Sequence, residues 1–340
     1  MSSLSKPLLK IDGRIGEGGG QILRTALALS LCTKTPFQIE QIRAKRKKPG
    51  LLAQHLTCVR AATQIGNAQV QGDELGSTTL RFEPGELQAG KFEFDIGTAG
   101  STTLVLQAVL PALGLANAPS ELLLHGGTHN PAAPTFDFLQ HTLAPVLARI
   151  GLGLELSLER HGFYPAGGGR IRVKVTPCAG YSPLELVDRS PIRERSAHIL
   201  LLNLPESLVR RESILLQPAL GVEPELQQAS GHGQANVVSI RLRSDELCET
   251  FTAFGDPRLR VEAITRGLID LAMEYDRSGA PVGPHLADQL IVFMALAGEG
   301  RFRTSFATPH TKTAIEVCRL FLGRAPQLEK AGKTVMVVMG

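Results

Sequence analysis

Three glycines, Gly66, Gly151 and Gly323, each close an apolar-periodic run, and the segments leading up to them read alike. In the first, residues 21–32 are helical after a glycine-rich turn, 37–42 are strand-like, and 54–65 form a second helix. The second has a helix at 102–113, a strand at 120–124 and a helix at 135–150. In the third, helix, strand and helix fall at 286–297, 301–306 and 311–322. A recurring helix, strand, polar loop and helix constrains the fold more than any single motif, because each copy leaves an apolar face that a neighbouring copy must cover. Each closing glycine suits a left-handed helix cap. Alternating strands at 92–96, 154–158, 171–175 and 334–338 follow or bridge the copies.

The spacing of these glycines locates an insertion. Gly66 and Gly151 lie 85 positions apart and Gly151 and Gly323 lie 172 apart, so the third copy carries about 87 additional residues. The extra segment falls at 185–280, with strands at 198–202, 237–242 and 250–254 and helices at 205–216 and 257–275. Asp256 is expected to cap the last helix and Pro257 to occupy its first turn, with Val261, Ile264, Leu268 and Leu271 along one face. The expected class is α/β (α+β): a large domain of three repeats at 1–184 and 281–340, and an inserted small α/β domain at 185–280.

With 340 residues, 43% of them apolar, the chain can bury a sizeable core. No apolar stretch is long enough for a membrane span, and Met1-Ser-Ser-Leu-Ser-Lys6 lacks a secretory core, so a cytoplasmic protein is expected. The five cysteines are scattered without a C-x-x-C pair, which points to reduced thiols, neither a disulfide framework nor a thiolate zinc site. A net charge of +4 excludes a chain basic throughout but leaves room for a local anion site, for which Lys45-Arg46-Lys47-Lys48 is the candidate. The absence of Trp argues against a stacking platform for single strands.

If three units pack around a centre, their loops before the second helix face one another: Arg43 to Gly50, His125 to Pro131, and Thr308 to Thr313. Cations, glycines and histidines would then share a cleft. His310 stands at a helix entry, where unpaired backbone N–H groups and the positive dipole end favour phosphate, and a neutral imidazole can attack phosphorus. Taken alone, with nine histidines in the chain, a solvated loop histidine is the better explanation. Gly16-Glu-Gly-Gly-Gly-Gln-Ile-Leu-Arg24 joins a strand at 8–11 to a helix and is either a phosphate loop or an ordinary glycine-rich turn, and it is neither a Walker A loop nor a Gly-x-Gly-x-x-Gly fingerprint. Glu17 discriminates between its uses: a carboxylate among phosphate-binding glycines repels an anion unless a divalent cation bridges them. Gly97-Thr-Ala-Gly-Ser-Thr102 repeats the theme, and Pro165-Ala-Gly-Gly-Gly169 reads as a turn. Asp288, near the start of the third unit's first helix, is either a first-turn residue placed to suit the helix dipole or a cleft carboxylate, and sequence alone favours the former.

Together, Gly16 to Arg24, Lys48-Pro-Gly-Leu-Leu-Ala-Gln-His55, Gly97 to Leu104, His161-Gly-Phe-Tyr-Pro-Ala-Gly-Gly-Gly169, Leu286-Ala-Asp-Gln289 and the His310 loop resemble the RNA 3′-terminal phosphate cyclase family. The resemblance keeps these motifs in order over nearly the whole chain. It implies three repeats of a fold like the C-terminal domain of translation initiation factor 3, shared with enolpyruvyl transferases, with a thioredoxin-like insertion. It implies ATP-dependent conversion of an RNA 3′-terminal phosphate to a 2′,3′-cyclic phosphate, through a covalent His310–AMP and then an RNA-adenylate.

Carried over by position, the resemblance makes His310 the nucleophile and Glu17 the holder of a divalent cation, Mg²⁺ or Mn²⁺. Arg24, Arg43, Arg46 and Gln54 would bind RNA phosphate or pyrophosphate oxygens. Gln107, Pro134, Phe138, His285, Asp288 and Gln289 would line the nucleotide pocket. The implied partner is RNA bearing a 3′-terminal phosphate, and relatives suggest a homodimer. Two departures stand out: His285 replaces a frequent Tyr, and Ala314 replaces a frequent Asn, which bears on nucleotide preference and on capping near His310. Two other classes share the scaffold, the cyclase-like ribosome-assembly factors that bind RNA without the catalytic histidine, and the enolpyruvyl transferases.

Overall fold

The structure, a computed structural model, describes residues 6–340. Residues 1–5, most of the polar start read above as lacking a secretory core, lie outside the described residues. Strand β1 (Leu9–Asp12), helix α1 (Gly20–Thr33), β2 (Phe37–Glu40), α2 (Ala53–Ile65), β3 (Gln69–Gln71) and β4 (Leu80–Glu83) build a sheet of order β1-β2-β4-β3. Its first pair is parallel and the others antiparallel. A parallel pair needs a crossover, and α1 provides it.

Next come β5 (Lys91–Asp95), α3 (Thr102–Leu113) and β6 (Ser120–Gly126). A helical stretch follows, made of α4 (Phe136–Phe138), a π segment (Leu139–Leu143) and α5 (Ala144–Arg149), and then β7 (Gly153–Arg160) and β8 (Gly169–Thr176). Their sheet has order β5-β6-β8-β7, again with only the first pair parallel. After β9 (Leu184–Leu186), the chain leaves for β10 (Glu194–Leu202), α6 (Ser207–Leu220), β11 (Glu225–Gln228), β12 (Ala235–Arg243), β13 (Cys248–Phe254) and α7 (Val261–Ser278). It returns through α8 (Pro284–Ala297), β14 (Gly300–Thr304), α9 (Pro309–Leu322), β15 (Gln327–Ala331) and β16 (Thr334–Met339). The third sheet, β9-β14-β16-β15, has the order and strand senses of the first two.

The segment between β9 and α8 forms its own sheet, β11-β10-β12-β13, with β10 and β11 parallel across α6. It has its own apolar cluster, in which Ile199, Leu216, Ile240, Phe251, Leu268 and Tyr275 are buried. The larger cluster runs from Ile11 to Met339 and takes in all three other sheets. At its centre, α1 packs against α2, α3 and α9. Every residue of α1 from Gln21 to Leu31 is buried, as expected of a helix apolar on nearly all sides.

Two expected caps differ from the structure. Gly66 has φ −92°, outside the left-handed region, whereas Gly151 and Gly323 have φ +96° and +69°. A Cβ at Gly66 would stand 2.2 Å from Leu31 Cδ2, so close helix packing explains this glycine and Asn67, at φ +42°, makes the turn. Asp256 does not cap α7, whose N-cap is Arg260. Its carboxylate is taken instead by the backbone and guanidinium of Arg258, a local turn that competes with helix initiation. Among the described residues no helix is long and apolar enough to cross a membrane, and all five cysteines are thiols.

Candidate active site

Helix α9 starts where it does because Thr308 caps it. The Thr308 hydroxyl accepts from the backbone N–H of His310 at 2.9 Å and of Thr311 at 3.1 Å, and Pro309 fills the first turn, where a donor is not needed. Thr311 completes a capping box by accepting the N–H of Thr308. Capping therefore does not depend on position 314, where Ala314 is fully buried in the core.

Both cap hydroxyls donate to one carboxylate: Asp288 Oδ1 accepts from Thr308 at 2.6 Å and from Thr311 at 2.5 Å. Asp288 sits five residues into α8 and is buried, so the dipole reading from sequence is corrected. It is a cleft carboxylate that ties α8 to the entry of α9. Burial, the largest influence, raises its pKa, against the two hydroxyls and the neighbouring His310 and His285.

The glycine-rich turn brings Glu17 against this entry. Glu17 Oε1 lies 3.2 Å from His310 Nδ1, and its Oε2 accepts from Arg46 Nη2 at 2.9 Å. The His310 contact is close but not aligned as a hydrogen bond, and Nδ1 is otherwise buried without a partner among the described residues. The Glu17 contact raises the His310 pKa, opposed by burial and aided by the charges of Glu17 and Asp288. For Glu17 itself burial is the largest influence and acts upward, but His310, Arg46 and Arg24 together bring its pKa below the usual value. The ring is 45% exposed, leaving Nε2 as the nitrogen available to the cleft.

On the other side of the turn, Arg24 is held inside α1. Its Nε donates to Gln107 Oε1 at 2.8 Å and its Nη2 to Gln21 Oε1 at 3.0 Å, while Gln107 donates to Gln289 Oε1 at 2.9 Å. One chain of contacts thus spans α1, α3 and α8. Arg24 Nη1 and His55 Nε2 both converge on Gly20, where a Cβ would stand 2.9 Å and 2.5 Å from them. Burial first, then Arg24 and Arg43, push the His55 pKa down to about 3, so His55 is a neutral ring beside a buried cation. Sequence reading passed over it. Its only signal was a place four residues after Leu51 in a motif already noticed for other positions.

These groups open onto a cleft of about 530 Å³ lined by Arg24, Gln107, Pro134, Phe138, His285, Asp288, Gln289 and His310, within the range of small-molecule sites. Eight expected residues therefore share one cavity, and Glu17 and Arg46 stand at its His310 end. Two others are engaged elsewhere. Arg43 Nη1 donates to the carbonyls of Lys48 and Gly50, closing its own loop. Gln54 Oε1 accepts from Ser101 N–H at 2.7 Å. The three loops do not pool their histidines: His129 is buried between Thr128 and Asp137, His125 pairs with Glu93, and residues 131–135 are what reaches the cleft from that loop. Thr250, Thr252 and Phe254 of β13 also line it, residues that the sequence assigned to a strand of the inserted segment without a role in the site.

Fold and cleft define an α/β protein whose cavity of about 530 Å³ ends at a capped, helix-entry histidine flanked by a carboxylate and arginines. Comparison with known proteins specifies the class. Residues 15–328 match the family described as RNA 3′-terminal phosphate cyclase. The proteins so named from Ralstonia nicotianae and Koribacter versatilis are 48% and 47% identical, each over 93% of this chain and over 92% and 90% of their own lengths. The one from Salmonella agona is 46% identical over 98% of this chain and 97% of its own. Among solved structures, an EPSP synthase from Acinetobacter baumannii aligns over 54% of this chain and 50% of that chain with 12% identity and a TM-score of 0.23, a likeness too slight to carry an argument. The chain belongs to the RNA 3′-terminal phosphate cyclase family, and it is an enzyme.

Proposed function

We propose that the protein converts an RNA 3′-terminal phosphate to a 2′,3′-cyclic phosphate at the expense of ATP, with His310 as the temporary carrier of AMP. The observation that carries this reading is the state of the His310 ring, with Nδ1 set against Glu17 and Nε2 left to the cleft. Nε2 attacks the α-phosphorus of ATP, the bond from that phosphorus to the bridging oxygen breaks, and pyrophosphate leaves. As the ring gains positive charge, Glu17 opposite Nδ1 holds its proton and stabilises it. The terminal RNA phosphate then takes AMP from Nε2. The neighbouring 2′-hydroxyl attacks the activated phosphorus, its proton is lost to solvent or base, and AMP departs. A phosphate monoester dianion has a poor leaving group, and adenylylation supplies a good one.

The anion contacts follow from magnitudes. The Arg46–Glu17 pair has its arginine 47% exposed, so it contributes at most about 1 kcal/mol. A charge-assisted bond from Arg46 to phosphate is worth about 1.5–3 kcal/mol, so an incoming phosphate can take Arg46 from Glu17. Arg24 offers Nη1 from a buried position. Arg43 and Gln54 remain in this reading as anion contacts, Arg43 through its remaining donors and Gln54 through its amide N–H₂.

A divalent ion fits the donor set. Among the described residues no group of three or more His, Cys, Asp or Glu gathers, so Glu17 would be its protein ligand, with phosphate oxygens and water completing the shell as Mg²⁺ prefers. Such an ion supplies charge neutralisation on the triphosphate. Gln107, Pro134, Phe138, His285, Asp288 and Gln289 would receive the nucleoside.

The same reading takes the three like sheets as three copies of one unit, resembling the initiation factor 3 C-terminal fold. It takes residues 185–280 as a thioredoxin-like insertion into a large domain of residues 1–184 and 281–340, in a cytoplasmic protein that forms a homodimer. The test is incubation with α-labelled ATP and Mg²⁺ or Mn²⁺. An acid-labile, hydroxylamine-sensitive protein-bound label, absent from a folded His310→Ala variant, supports the reading, and an unlabelled folded wild type overturns it.

A further inference from the structure

Strand β13 faces two ways. Thr250, Thr252 and Phe254, on one face by the two-residue period of a strand, line the cleft. Phe251, on the other, packs against Tyr275 with ring centroids 5.4 Å apart inside the inserted segment. Glu249 shares that second face, yet its carboxyl leaves the inserted body and accepts the backbone N–H of Gly283. Gly283 is the N-cap of α8, which among the described residues has no other side-chain cap.

The contact is close enough to dictate the residue beneath it. A Cβ on Gly283 would stand 2.7, 2.8 and 3.0 Å from Glu249 Oε1, Cδ and Oε2. The backbone of Gly283, at φ −71° and ψ 162°, is open to any residue, so the glycine is explained by the carboxyl packed on it. Burial pushes the Glu249 pKa up to about 8, against its backbone contacts and the attraction of Arg189. A side chain only 2% exposed is not spending its burial on solvation, and an orphan helix donor is what it satisfies.

From Gly283 the connections lead to the chemistry. Helix α8 carries His285, Asp288 and Gln289 into the cleft, and Asp288 holds both hydroxyls that cap the helix bearing His310. The strand that supplies part of the cleft lining thereby also sets the start of a helix that supplies another part.

We propose that Glu249 is a positioning residue for nucleotide binding: by clamping Gly283 it seats α8, so the segment inserted between β9 and α8 is a structural part of the nucleotide cleft. This rests on the assignment of ATP to that cleft. In Glu249→Ala the KM for ATP in enzyme adenylylation rises about fivefold to tenfold, the effect of losing a helix cap transmitted to the site, with a smaller change in kcat. Glu249→Gln keeps an acceptor of the same shape and stays within about twofold of wild type. Gly283→Ala, which meets the carboxyl, impairs ATP binding in the wild-type background and adds little in Glu249→Ala, since the obstructing group is gone.

The experiment measures KM and kcat for adenylylation, with thermal unfolding of every variant, on the full chain. A wild type that takes no label from ATP defeats the assignment of the cleft. A wild type that takes label, beside a folded Glu249→Ala with unchanged KM, overturns the clamp alone, as do strictly additive effects of Glu249→Ala and Gly283→Ala.

Discussion

Two loops of this molecule stand in the same place relative to their sheets and both carry a histidine, yet only one is available for chemistry. His129, between β6 and α4, is 1% exposed, with Thr128 Oγ1 2.8 Å from one ring nitrogen and Asp137 Oδ2 2.7 Å from the other. Arg241 of β12 holds the second oxygen of Asp137 at 2.9 Å, so this histidine serves to dock the inserted segment. His310, between β14 and the body of α9, has one nitrogen against a carboxylate and the other facing a cavity. Position on a repeated scaffold therefore does not confer reactivity. The partners of the two ring nitrogens do.

The largest effects should separate these two rings. His310→Ala is expected to lower adenylylation by roughly 10³-fold or more while leaving thermal unfolding nearly unchanged. His129→Ala should do the reverse, costing about 2–4 kcal/mol of stability with label transfer retained in the folded fraction. If both variants lose label and neither loses stability, the contrast between the loops is wrong. Next in size, Asp288→Ala frees both cap hydroxyls, and the resulting displacement of His310 should cost roughly 10²-fold in single-turnover adenylylation, with Asp288→Asn milder.

Smaller effects test the anion side. Arg46→Ala should reduce turnover of an RNA 3′-phosphate by about tenfold and Lys48→Ala by no more than about twofold, because a planar fork and a solvated ammonium differ in what they offer phosphate. Equal losses would mean that the basic run acts as diffuse charge.

The smallest is a shift in pH dependence. Glu17 raises the His310 pKa above 6.5, and the neutral ring is the nucleophile. The kcat/KM for ATP, which reports the free enzyme, should therefore rise as pH climbs through a value above 6.5, and Glu17→Gln should move that midpoint toward acid. As to stability, the raised histidine contributes fully below 6.5 and loses its contribution as pH rises through the raised value. The lowered Glu17 contributes above 4.5 and loses its contribution on acidification through its own lowered value. The pair thus stabilises most between those two pH values, by no more than about 1 kcal/mol given the exposure of the ring.

Much of this was legible in the chain because periodicity reports burial. Helices α1, α3, α8 and α9 were expected within two residues of their ends, and their apolar patterns arise from packing at the shared core. The short edge strands β3 and β15 were not expected, since exposed strands carry no apolar alternation to betray them. For Asp288 the sequence favoured the dipole role over the cleft because local sequence gives an acid near a helix start no reason to turn inward, and the reason is supplied by Thr308 and Thr311 from 20 or more positions away. For the same reason Arg43, read as an anion ligand, spends one nitrogen on its own loop. The contact between Glu249 and Gly283 was silent in sequence, since a buried carboxyl meeting a glycine N–H is a long-range fact with no local pattern.

The central claim is that the ring at position 310 carries the nucleotide, and mapping the attachment site tests it most directly. Protein incubated with ATP and a divalent ion, digested without acid and sequenced by mass spectrometry, should carry AMP on the peptide containing His310 and on no other. AMP on the peptide containing His129, or on a lysine of the 45–48 run, would contradict the account.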